Sequence, residues 1–373
     1  MVDYESLPIW TPIAFVFGIC IGSFLNVVIY RVPLGLGVSD PKRSFCPICK
    51  KDIPWYRNLP LLTWLLQRGK CAECKAPIAF RYFVVEALTG ILFAASWALL
   101  PDPYPAALFV MALCVILVVI SFIDAEHMII PMNFVYVGML LGLLAGVVAP
   151  ALIFMGAEVP AMPSWAGGGQ AFLGLLVGWS LLGLVVLAGK MFFGERRMEF
   201  DEGTETWKLR EPENDAEELR FVVGEEEIDW SDVFYRKRDR IEIDGPGICL
   251  DGRETSAKRV VILTDRVVID GEERMISDLK SLEGRADSVV IPREAMGAGD
   301  PPLLGMIGAF VGWQGVLFSL FASCIYALLA AGLGRVGFGR PLPFGPFLAL
   351  GGLTWILGGW KLWEMYLVYS GLK

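Results

Sequence analysis

The amino-acid sequence predicts an α-helical polytopic membrane protein of about eight transmembrane helices, with a cytoplasmic four-cysteine loop and a small β-rich cytoplasmic insert. Hydrophobic residues make up 55% of the 373 residues, and the mean hydropathy is +0.55. Several runs, such as Ala106–Ile123 and Leu303–Gly334, contain no charged residue and are long enough for a transmembrane helix. A soluble domain does not carry several such runs, so the chain is predicted to lie in a membrane.

The predicted transmembrane helices follow these uncharged runs. They are Ile9–Tyr30, Tyr82–Leu100, Ala106–Ile123, Met132–Phe154, Gln170–Phe193, Pro301–Val311, Val316–Leu333 and Phe344–Tyr366. The first one is predicted to stay as an anchor, because the N-terminus lacks the basic region and cleavage site of a removable signal. The apolar run after residue 300 is too long for one helix and is predicted to break at Gly312–Gly315.

The acidic character of the chain belongs to one segment. The formal net charge is −8, but residues 195–293 hold 17 basic and 27 acidic residues, a balance of −10, which leaves +2 for the remainder. Runs such as Arg259–Thr264 and Asp265–Gly271 predict short strands from Ile241 onward. Residues 195–227 are poor in apolar side chains and predict partial disorder.

The distribution of basic residues predicts the orientation. The loop 33–81 carries nine Lys/Arg and three Asp/Glu, which places it in the cytoplasm and the N-terminus outside. Counting spans from this loop places the insert in the cytoplasm as well. The predicted parts are 1–32, the first transmembrane helix; 33–81, the four-cysteine loop; 82–194, helices two to five; 195–293, the insert; and 294–373, helices six to eight.

Four cysteines of the loop form two CxxC pairs, Cys46 with Cys49 and Cys71 with Cys74. Each pair can form a tight turn that presents two thiolates to one metal ion, and two turns complete a tetrahedron. A cytoplasmic loop does not favour disulfides, so a structural zinc ion is predicted. The alternative is a redox CxxC pair, but no thioredoxin-like pattern surrounds these cysteines. The single histidine, His127, excludes a histidine-rich metal site.

Two aspartates, Asp124 and Asp300, lie at the ends of apolar runs. Asp300 follows a Gly-Ala-Gly sequence and precedes two prolines, a pattern typical of a helix start, so one interpretation is that it only caps a helix. The second interpretation is functional, because a carboxylate at the edge of an apolar span is costly to keep there.

Two carboxylates at one depth of the membrane fit the chemistry of an aspartyl protease, in which a close pair shares one proton and supplies both an acid and a base. Glu126 is a rival acid. Two residues along a helix place it on another face than Asp124, so we rank it as a helper at best.

The longer motifs of the chain are Gly22–Pro33, the two CxxC pairs, Trp55–Trp64, Arg81–Glu86, Ile123–Asp124, Met296–Asp300, Gly308–Gln314 and Pro343–Leu350. Together they resemble the type IV prepilin peptidase family over nearly all of the chain except roughly 195–290. The resemblance implies a bifunctional bacterial inner-membrane enzyme of the GxGD aspartyl-protease type. Its members cleave the positively charged leader of prepilins or pseudopilins after a glycine, on the cytoplasmic side, and then N-methylate the new N-terminus with S-adenosylmethionine.

By motif, the resemblance assigns Asp124 and Asp300 as the catalytic pair. The S-adenosylmethionine site is not assigned, because the chain has no strand-led GxGxxG fingerprint. Prepilins and membrane lipid are the expected partners, and no nucleic acid is expected. The oligomeric state, the role of the insert and the choice between a pilus and a secretion pathway stay open.

The chain departs from the family pattern in three places. The usual GDxKL becomes Asp300-Pro-Pro-Leu, so Pro302 stands where the family has lysine; Met132 replaces the aspartate of a Pro-Asp pair; and the insert separates the two aspartates by 176 residues. Two alternatives therefore remain: a GxGD protease without transferase activity, and a non-enzymatic, zinc-stabilised scaffold of pilus or secretion assembly.

Overall fold

A computed structural model describes residues 7–38, 44–46, 48–100, 105–154, 164–193, 195–201, 205–210, 219–234, 239–292, 297–334 and 342–371. The chain divides into two compact units. The helical unit comprises residues 1–183 and 298–373, and the insert unit comprises residues 184–297.

The described residues form ten helices. They are α1 (Leu7–Arg31), α2 (Leu62–Leu66), α3 (Phe80–Leu99), α4 (Ala106–His127), α5 (Met132–Val148), α6 (Ser164–Phe193), α7 (Trp230–Val233), α8 (Asp300–Gly334), α9 (Gly345–Thr354) and α10 (Trp360–Tyr369). Five of them, α1, α3, α4, α6 and α8, are long and apolar enough to cross a membrane. The polytopic, mostly helical character matches the prediction, whereas the number of eight spans stays a prediction.

Helix α8 is broken at the position where the sequence predicts two spans. Gly312 has φ 69° and ψ 176°, which are not helical values. A Cβ on Gly308 would lie 2.7 Å from the side chain of Val316, although eight residues of straight helix rise about 12 Å. The chain therefore turns sharply at Gly312, whose positive φ favours glycine. Residues 300–312, before the turn, are all buried.

The last predicted span, Phe344–Tyr366, is not one continuous helix. It consists of α9, a π-helical turn at Trp355–Gly359 and α10. Gly358 has φ 134°, a conformation open to glycine and costly for other residues. Two adjacent glycines, Gly358 and Gly359, thus interrupt a segment that hydropathy alone presents as continuous.

Glycines set the packing of the helical unit. A Cβ on Gly18 of α1 would lie 2.8 Å from the Cα of Gly90 in α3, so these two helices meet backbone to backbone. A Cβ on Gly142 of α5 would lie 2.6 Å from the Ala309 side chain of α8. Small residues at such positions are typical of helices that associate in membranes. They allow the buried first half of α8 to be enclosed by its neighbours.

The insert unit is built from twelve short strands among the described residues. They are β1 (Glu195–Glu199), β2 (Glu205–Arg210), β3 (Arg220–Val223), β4 (Glu226–Asp229), β5 (Ile241–Asp244), β6 (Cys249–Leu250), β7 (Arg253–Glu254), β8 (Arg259–Ile262), β9 (Arg266–Ile269), β10 (Glu272–Met275), β11 (Leu282–Ala286) and β12 (Ser288–Pro292). They form two antiparallel six-stranded sheets, in the orders β1-β12-β5-β8-β9-β10 and β4-β3-β2-β11-β6-β7. Trp207 and Phe221 of the second sheet share one core with Ile241 and Val260 of the first.

The prediction of a β-rich insert agrees with this architecture. Of residues 195–227, for which partial disorder is expected, most of the described ones form strands β1 to β4, and 202–204 and 211–218 lie outside the described residues. Strands β1 to β4 begin before Ile241. These strands were missed because they are only four to six residues long and because half or more of the residues in β1, β2 and β4 are charged. Arg210 of β2 pairs with Glu227 of β4, with an Nη1–Oε1 distance of 2.9 Å. Cross-strand pairs of this kind stabilise a sheet without an apolar pattern.

Candidate functional site

The four cysteines of the polar loop lie together. The thiol groups of Cys46, Cys49, Cys71 and Cys74 all lie within 4.8 Å of one another. The Sγ atoms of Cys46 and Cys74 are 3.8 Å apart, too far for a disulfide bond. Four sulfurs at about 2.3 Å from a zinc ion would be about 3.8 Å apart in a tetrahedron. The cluster therefore has the composition and the size of a four-thiolate zinc site.

Two turns of the same form build this cluster. In the first, Lys50 N–H donates to the Cys46 carbonyl; in the second, Lys75 N–H donates to the Cys71 carbonyl. Both lysines have a positive φ, 58° and 62°. Each turn thus directs its two thiols to the same side. Glu73 joins the turns, because it accepts from Lys51 at 3.1 Å.

The thiols of the second turn differ in acidity. Hydrogen bonds from the backbone N–H groups of Cys74 and Glu73 lower the pKa of Cys71 to about 7. The Ala76 N–H acts to lower the pKa of Cys74, but desolvation and hydrogen bonds with the neighbouring thiols raise it to about 11. The raised pKa of Cys74 keeps its thiol protonated at neutral pH unless a cation joins the cluster, which is the condition that a metal ion meets.

Asp124 lies in the last turn of α4 and is 5% exposed. Its Oδ2 accepts a hydrogen bond from the backbone N–H of Gly345, the first residue of α9, at 3.0 Å. A Cβ on Gly345 would lie 2.6 Å from the same oxygen. A glycine at the start of α9 is therefore required for this contact, and the helix N-terminus favours the negative charge.

Asp300 is the first residue of α8 and is 4% exposed. The Leu303 N–H donates to the Gly299 carbonyl at 3.2 Å, which closes the first turn. Pro301 and Pro302 occupy this turn, where a missing N–H costs little. Pro302, at the position of the family lysine, is buried. Met296, the first residue of the predicted motif, lies outside the described residues.

The end of α4 and the start of α8 lie close together in the helical unit. Ile130, which follows the helix of Asp124, lies against Gly299, which precedes Asp300; a Cβ on Gly299 would be 2.8 Å from the Ile130 Cβ. Helix α9, whose first N–H binds Asp124, also packs along α8. The helix ends that carry Asp124 and Asp300 are therefore neighbours, through Ile130 and Gly299 on one side and through α9 on the other.

Glu126 has different surroundings from Asp124. Its side chain is 38% exposed and forms an ion pair with Arg81 at the start of α3. His127 is also exposed. As expected for two acids on different faces of one helix, Asp124 is buried, whereas Glu126 is exposed and paired with Arg81.

Two features of the helical unit were not assigned a role from the sequence. One is the Gly345 N–H as a partner of Asp124; its signal was the Phe-Gly-Pro sequence within the motif 343–350. The other is a cavity of about 570 Å³ between the four-cysteine loop and helices α1 and α3, with Glu86 of the motif 81–86 in its lining. A cavity formed by residues far apart in sequence has no local pattern.

Comparison with known proteins supplies the family. The family model "Bacterial Peptidase A24 N-terminal domain" matches residues 16–100, and "Type IV leader peptidase family" matches residues 274–332. The prepilin leader peptidase/N-methyltransferase of Aeromonas hydrophila is 33% identical over 233 residues, which cover 50% of this chain and 80% of the relative. That of Neisseria gonorrhoeae is 32% identical over 229 residues, or 53% and 72%.

A relative of the same description in Myxococcus xanthus is 45% identical over 139 residues, which cover 36% of this chain and 40% of the relative. No solved structure matches the chain. The relatives of Aeromonas and Neisseria align over most of their own length, and both family models fall on the segments that carry the motifs. This confirms the resemblance drawn from the motifs: the chain belongs to the family of prepilin leader peptidases/N-methyltransferases.

Proposed function

We propose that the protein is a membrane aspartyl endopeptidase that cleaves the leader of type IV prepilins or pseudopilins after a glycine, and then N-methylates the new N-terminal residue with S-adenosylmethionine. One observation carries the peptidase assignment. Asp124 and Asp300 are buried at neighbouring helix ends of a chain that belongs to this family. Burying a carboxylate at such a position costs free energy, so a carboxylate that is found there is by default a candidate for a functional site.

The two aspartates act as a pair in this proposal. Two carboxylates that approach closely share one proton, because both cannot be ionised side by side. The ionised member takes a proton from water, and the protonated member polarises the carbonyl of the scissile peptide bond. The Gly345 N–H holds the Asp124 carboxylate in one orientation. Gly299 keeps the start of α8 free of a side chain that would collide with Ile130.

Zinc is proposed as a structural ion of the four-cysteine loop. The donor set fits: four thiol groups lie within 4.8 Å of one another on two equivalent turns. Cys46, Cys49, Cys71 and Cys74 would hold the ion, which cross-links the loop and fixes its fold. Because Cys46 and Cys71 line the cavity of about 570 Å³, the same cross-link fixes one wall of that cavity.

The proposed orientation of the chain in the membrane rests on the sequence. Multiple apolar helices support a multi-pass membrane protein, and the bacterial inner membrane with a cytoplasmic active site is proposed from the basic loop 33–81. The five-part division of the chain at residues 33, 82, 195 and 294 is kept as part of the proposal. Labelling of a cysteine introduced at Asp244 from the outside of intact cells would contradict this orientation.

The mature N-terminus of a candidate substrate tests the function most simply. A prepilin whose leader ends in glycine is expressed with and without this protein, and the N-terminal peptide is identified by mass spectrometry. The proposal expects a chain that begins immediately after the glycine and carries one added methyl group. An uncleaved leader in the presence of the protein would contradict the peptidase function, and a cleaved but unmethylated product would contradict the transferase function.

A further inference from the structure

We propose that Ile130 is the residue that restricts cleavage to leaders ending in glycine, because its side chain fills the space beside Asp300 that a larger substrate side chain would need. This assignment rests on the peptidase half of the proposed function. It names a specificity-determining residue outside the catalytic pair, in a segment to which the sequence assigned no role.

Ile130 lies between the helix ends that carry the two aspartates. It belongs to the connection 128–131, which joins α4, the helix of Asp124, to α5. Ile130 is half-buried, and it contacts Gly299, the residue that directly precedes Asp300. Its side chain therefore reaches from the end of one catalytic helix to the start of the other.

The contact between Ile130 and Gly299 leaves no space for another group. A Cβ added to Gly299 would lie 2.8 Å from the Cβ of Ile130, 3.1 Å from its Cδ1 and 3.3 Å from its Cγ1. Carbon atoms that are not bonded to each other pack at about 3.5–4.0 Å, so even one methyl group does not fit between the two residues. Ile130 thus fills this side of the start of α8.

The connection also holds Ile130 in place. Met128 ends α4 in the left-handed conformation, with φ 54°, and its N–H donates to the Asp124 carbonyl at 2.9 Å. Pro131 directly precedes the first residue of α5, and a residue before proline is restricted to extended conformations. The backbone is therefore constrained on both sides of Ile130, which limits how far this side chain can move aside for a substrate.

The aspartates act on the carbonyl group of the residue that ends the leader. The Cα of that residue is bonded to the carbonyl carbon, so its side chain lies beside the catalytic pair when the peptide bond is cleaved. Asp124 and Asp300 are 5% and 4% exposed, which leaves little open space around them. Glycine brings no side chain into this space, whereas the methyl group of alanine would compete with Ile130 for it.

A steric clash of this kind is an effective source of specificity. Selectivity rises when the wrong substrate meets a repulsive contact that the right one avoids. One methyl group in a tight apolar pocket changes kcat/KM by about 10–200-fold. A smaller side chain at position 130 should therefore allow the enzyme to cleave after alanine.

The rival explanation is that Ile130 only packs the connection 128–131 against the start of α8. In that case a smaller residue at position 130 slows the cleavage of every substrate in the same proportion. Glycine selectivity that is set elsewhere around the pair, for example at Gly345, would likewise be unaffected by the change. The ratio of kcat/KM for two substrates separates these explanations, because only a steric role of Ile130 alters it.

The first experiment measures kcat/KM for two prepilins that differ only in the last residue of the leader, glycine or alanine. The unaltered protein is expected to favour the glycine substrate by about a hundredfold or more. Ile130→Ala is expected to lower this ratio by about tenfold or more, through faster cleavage of the alanine substrate. Ile129→Ala, at the exposed neighbouring position, is the matched control and should keep the ratio.

A milder variant guards against loss of the fold. Ile130→Val removes only the Cδ1 group, which lies 3.1 Å from the position of a Cβ on Gly299. It should lower the ratio by about threefold, in the same direction as Ile130→Ala. Melting and zinc content, measured for each variant, show whether the protein is folded.

The outcomes are distinct. A ratio that falls from isoleucine through valine to alanine at position 130 supports the assignment. An unchanged ratio in folded Ile130→Ala or Ile130→Val overturns it and leaves the peptidase function intact. Equal cleavage of both substrates by the unaltered protein also overturns it, because nothing is then excluded beside the pair. If the unaltered protein cleaves neither substrate, the proposed peptidase function fails and this assignment fails with it.

The second experiment refills the space within one protein sample. Ile130→Cys shortens the side chain and should cleave the alanine substrate. Methyl methanethiosulfonate then adds a methylthio group to the thiol, which should restore selectivity for glycine to within about threefold of the unaltered protein. Reduction with dithiothreitol removes this group and should return the activity on alanine.

Ile129→Cys, treated in the same way, controls for the cysteines already in the chain, and mass spectrometry confirms the modification. Selectivity that does not respond to the reagent in modified Ile130→Cys would overturn the assignment. An equal response in Ile129→Cys would place the effect at another cysteine and overturn it as well.

Discussion

The helical unit and the insert unit are stabilised by different kinds of contact. In the helical unit, glycines let backbones meet, as at Gly18 with Gly90, and few charged side chains are buried. In the insert unit, a core around Trp207 and Phe221 lies beneath cross-strand ion pairs on an exposed surface. Exposed pairs are each worth at most about 1 kcal/mol, so the apolar core carries the stability of the insert.

This difference indicates where the chemistry is expected. The buried aspartates, the four cysteines and the cavity are all in the helical unit. The family motifs also fall largely outside residues 195–290. Changes in the helical unit should therefore alter activity, and changes in the insert core should alter mainly the stability of the insert.

The largest effect is expected at the aspartate pair. Asp124→Asn should lower leader cleavage by about a thousandfold or more, because one carboxylate cannot serve as both acid and base. Asp124→Asn combined with Asp300→Asn should be hardly worse than the single change, since groups that act together are not additive. Cleavage of a purified prepilin measures both. Methyl transfer to an already cleaved peptide should survive, and Glu126→Gln should cleave nearly normally.

Gly345→Ala is expected to have the next largest effect. The added Cβ would lie 2.6 Å from Asp124 Oδ2, so the carboxylate must turn away. A misplacement of about 1 Å can cost about a hundredfold in rate. Cleavage rates for this variant and for Gly332→Ala, whose added Cβ would meet nothing within 4 Å, provide the comparison. Cleavage at the unaltered rate in Gly345→Ala would show that the hydrogen bond does not orient the aspartate.

Loss of the metal should separate the two activities. Purified protein should contain about one zinc ion per chain, and Cys46→Ser with Cys71→Ser should remove it. Methyl transfer and thermal stability should fall more than leader cleavage, because the metal fixes the loop and neither aspartate belongs to the loop. Metal analysis, melting and both assays measure this. A double variant that retains its zinc would end the four-cysteine assignment.

The smallest effect on activity is expected in the insert. Trp207 is 1% exposed in the insert core, and Trp207→Ala should destabilise the insert by about 3–5 kcal/mol. Limited proteolysis should then cut within residues 195–293 faster than in the unaltered protein. Leader cleavage of a soluble peptide substrate should change by less than about threefold. A loss comparable with that of Asp124→Asn would remove the distinction between the two units.

The sequence predicted those features that depend on local pattern. Uncharged runs indicated the long helices, Gly312–Gly315 indicated the break in α8, and two CxxC pairs indicated the cysteine cluster. The break at Gly358 was missed because hydropathy does not register backbone conformation.

Features that depend on contacts between distant residues were not predicted, or were predicted only in part. The Gly345 N–H lies 221 residues from Asp124 in the chain, so no spacing rule connects them. Strands β1 to β4 are short, and contacts between them, such as that of Arg210 with Glu227, join residues that no local pattern connects. The cavity near Glu86 arises from α1, α3 and the loop together. The motifs indicated the residues of interest, whereas only the fold shows which of these residues lie together.

Cleavage by the Asp300→Asn variant tests the central assignment most directly. The substitution is nearly isosteric, and asparagine suits a helix start as well as aspartate does, so α8 should begin as before. On a prepilin whose leader ends in glycine, the account predicts that Asp300→Asn shows no cleavage above about a thousandth of the normal rate, while it folds and binds zinc normally. Substantial cleavage by this variant would contradict the aspartate pair and leave Asp300 as a residue that only starts a helix.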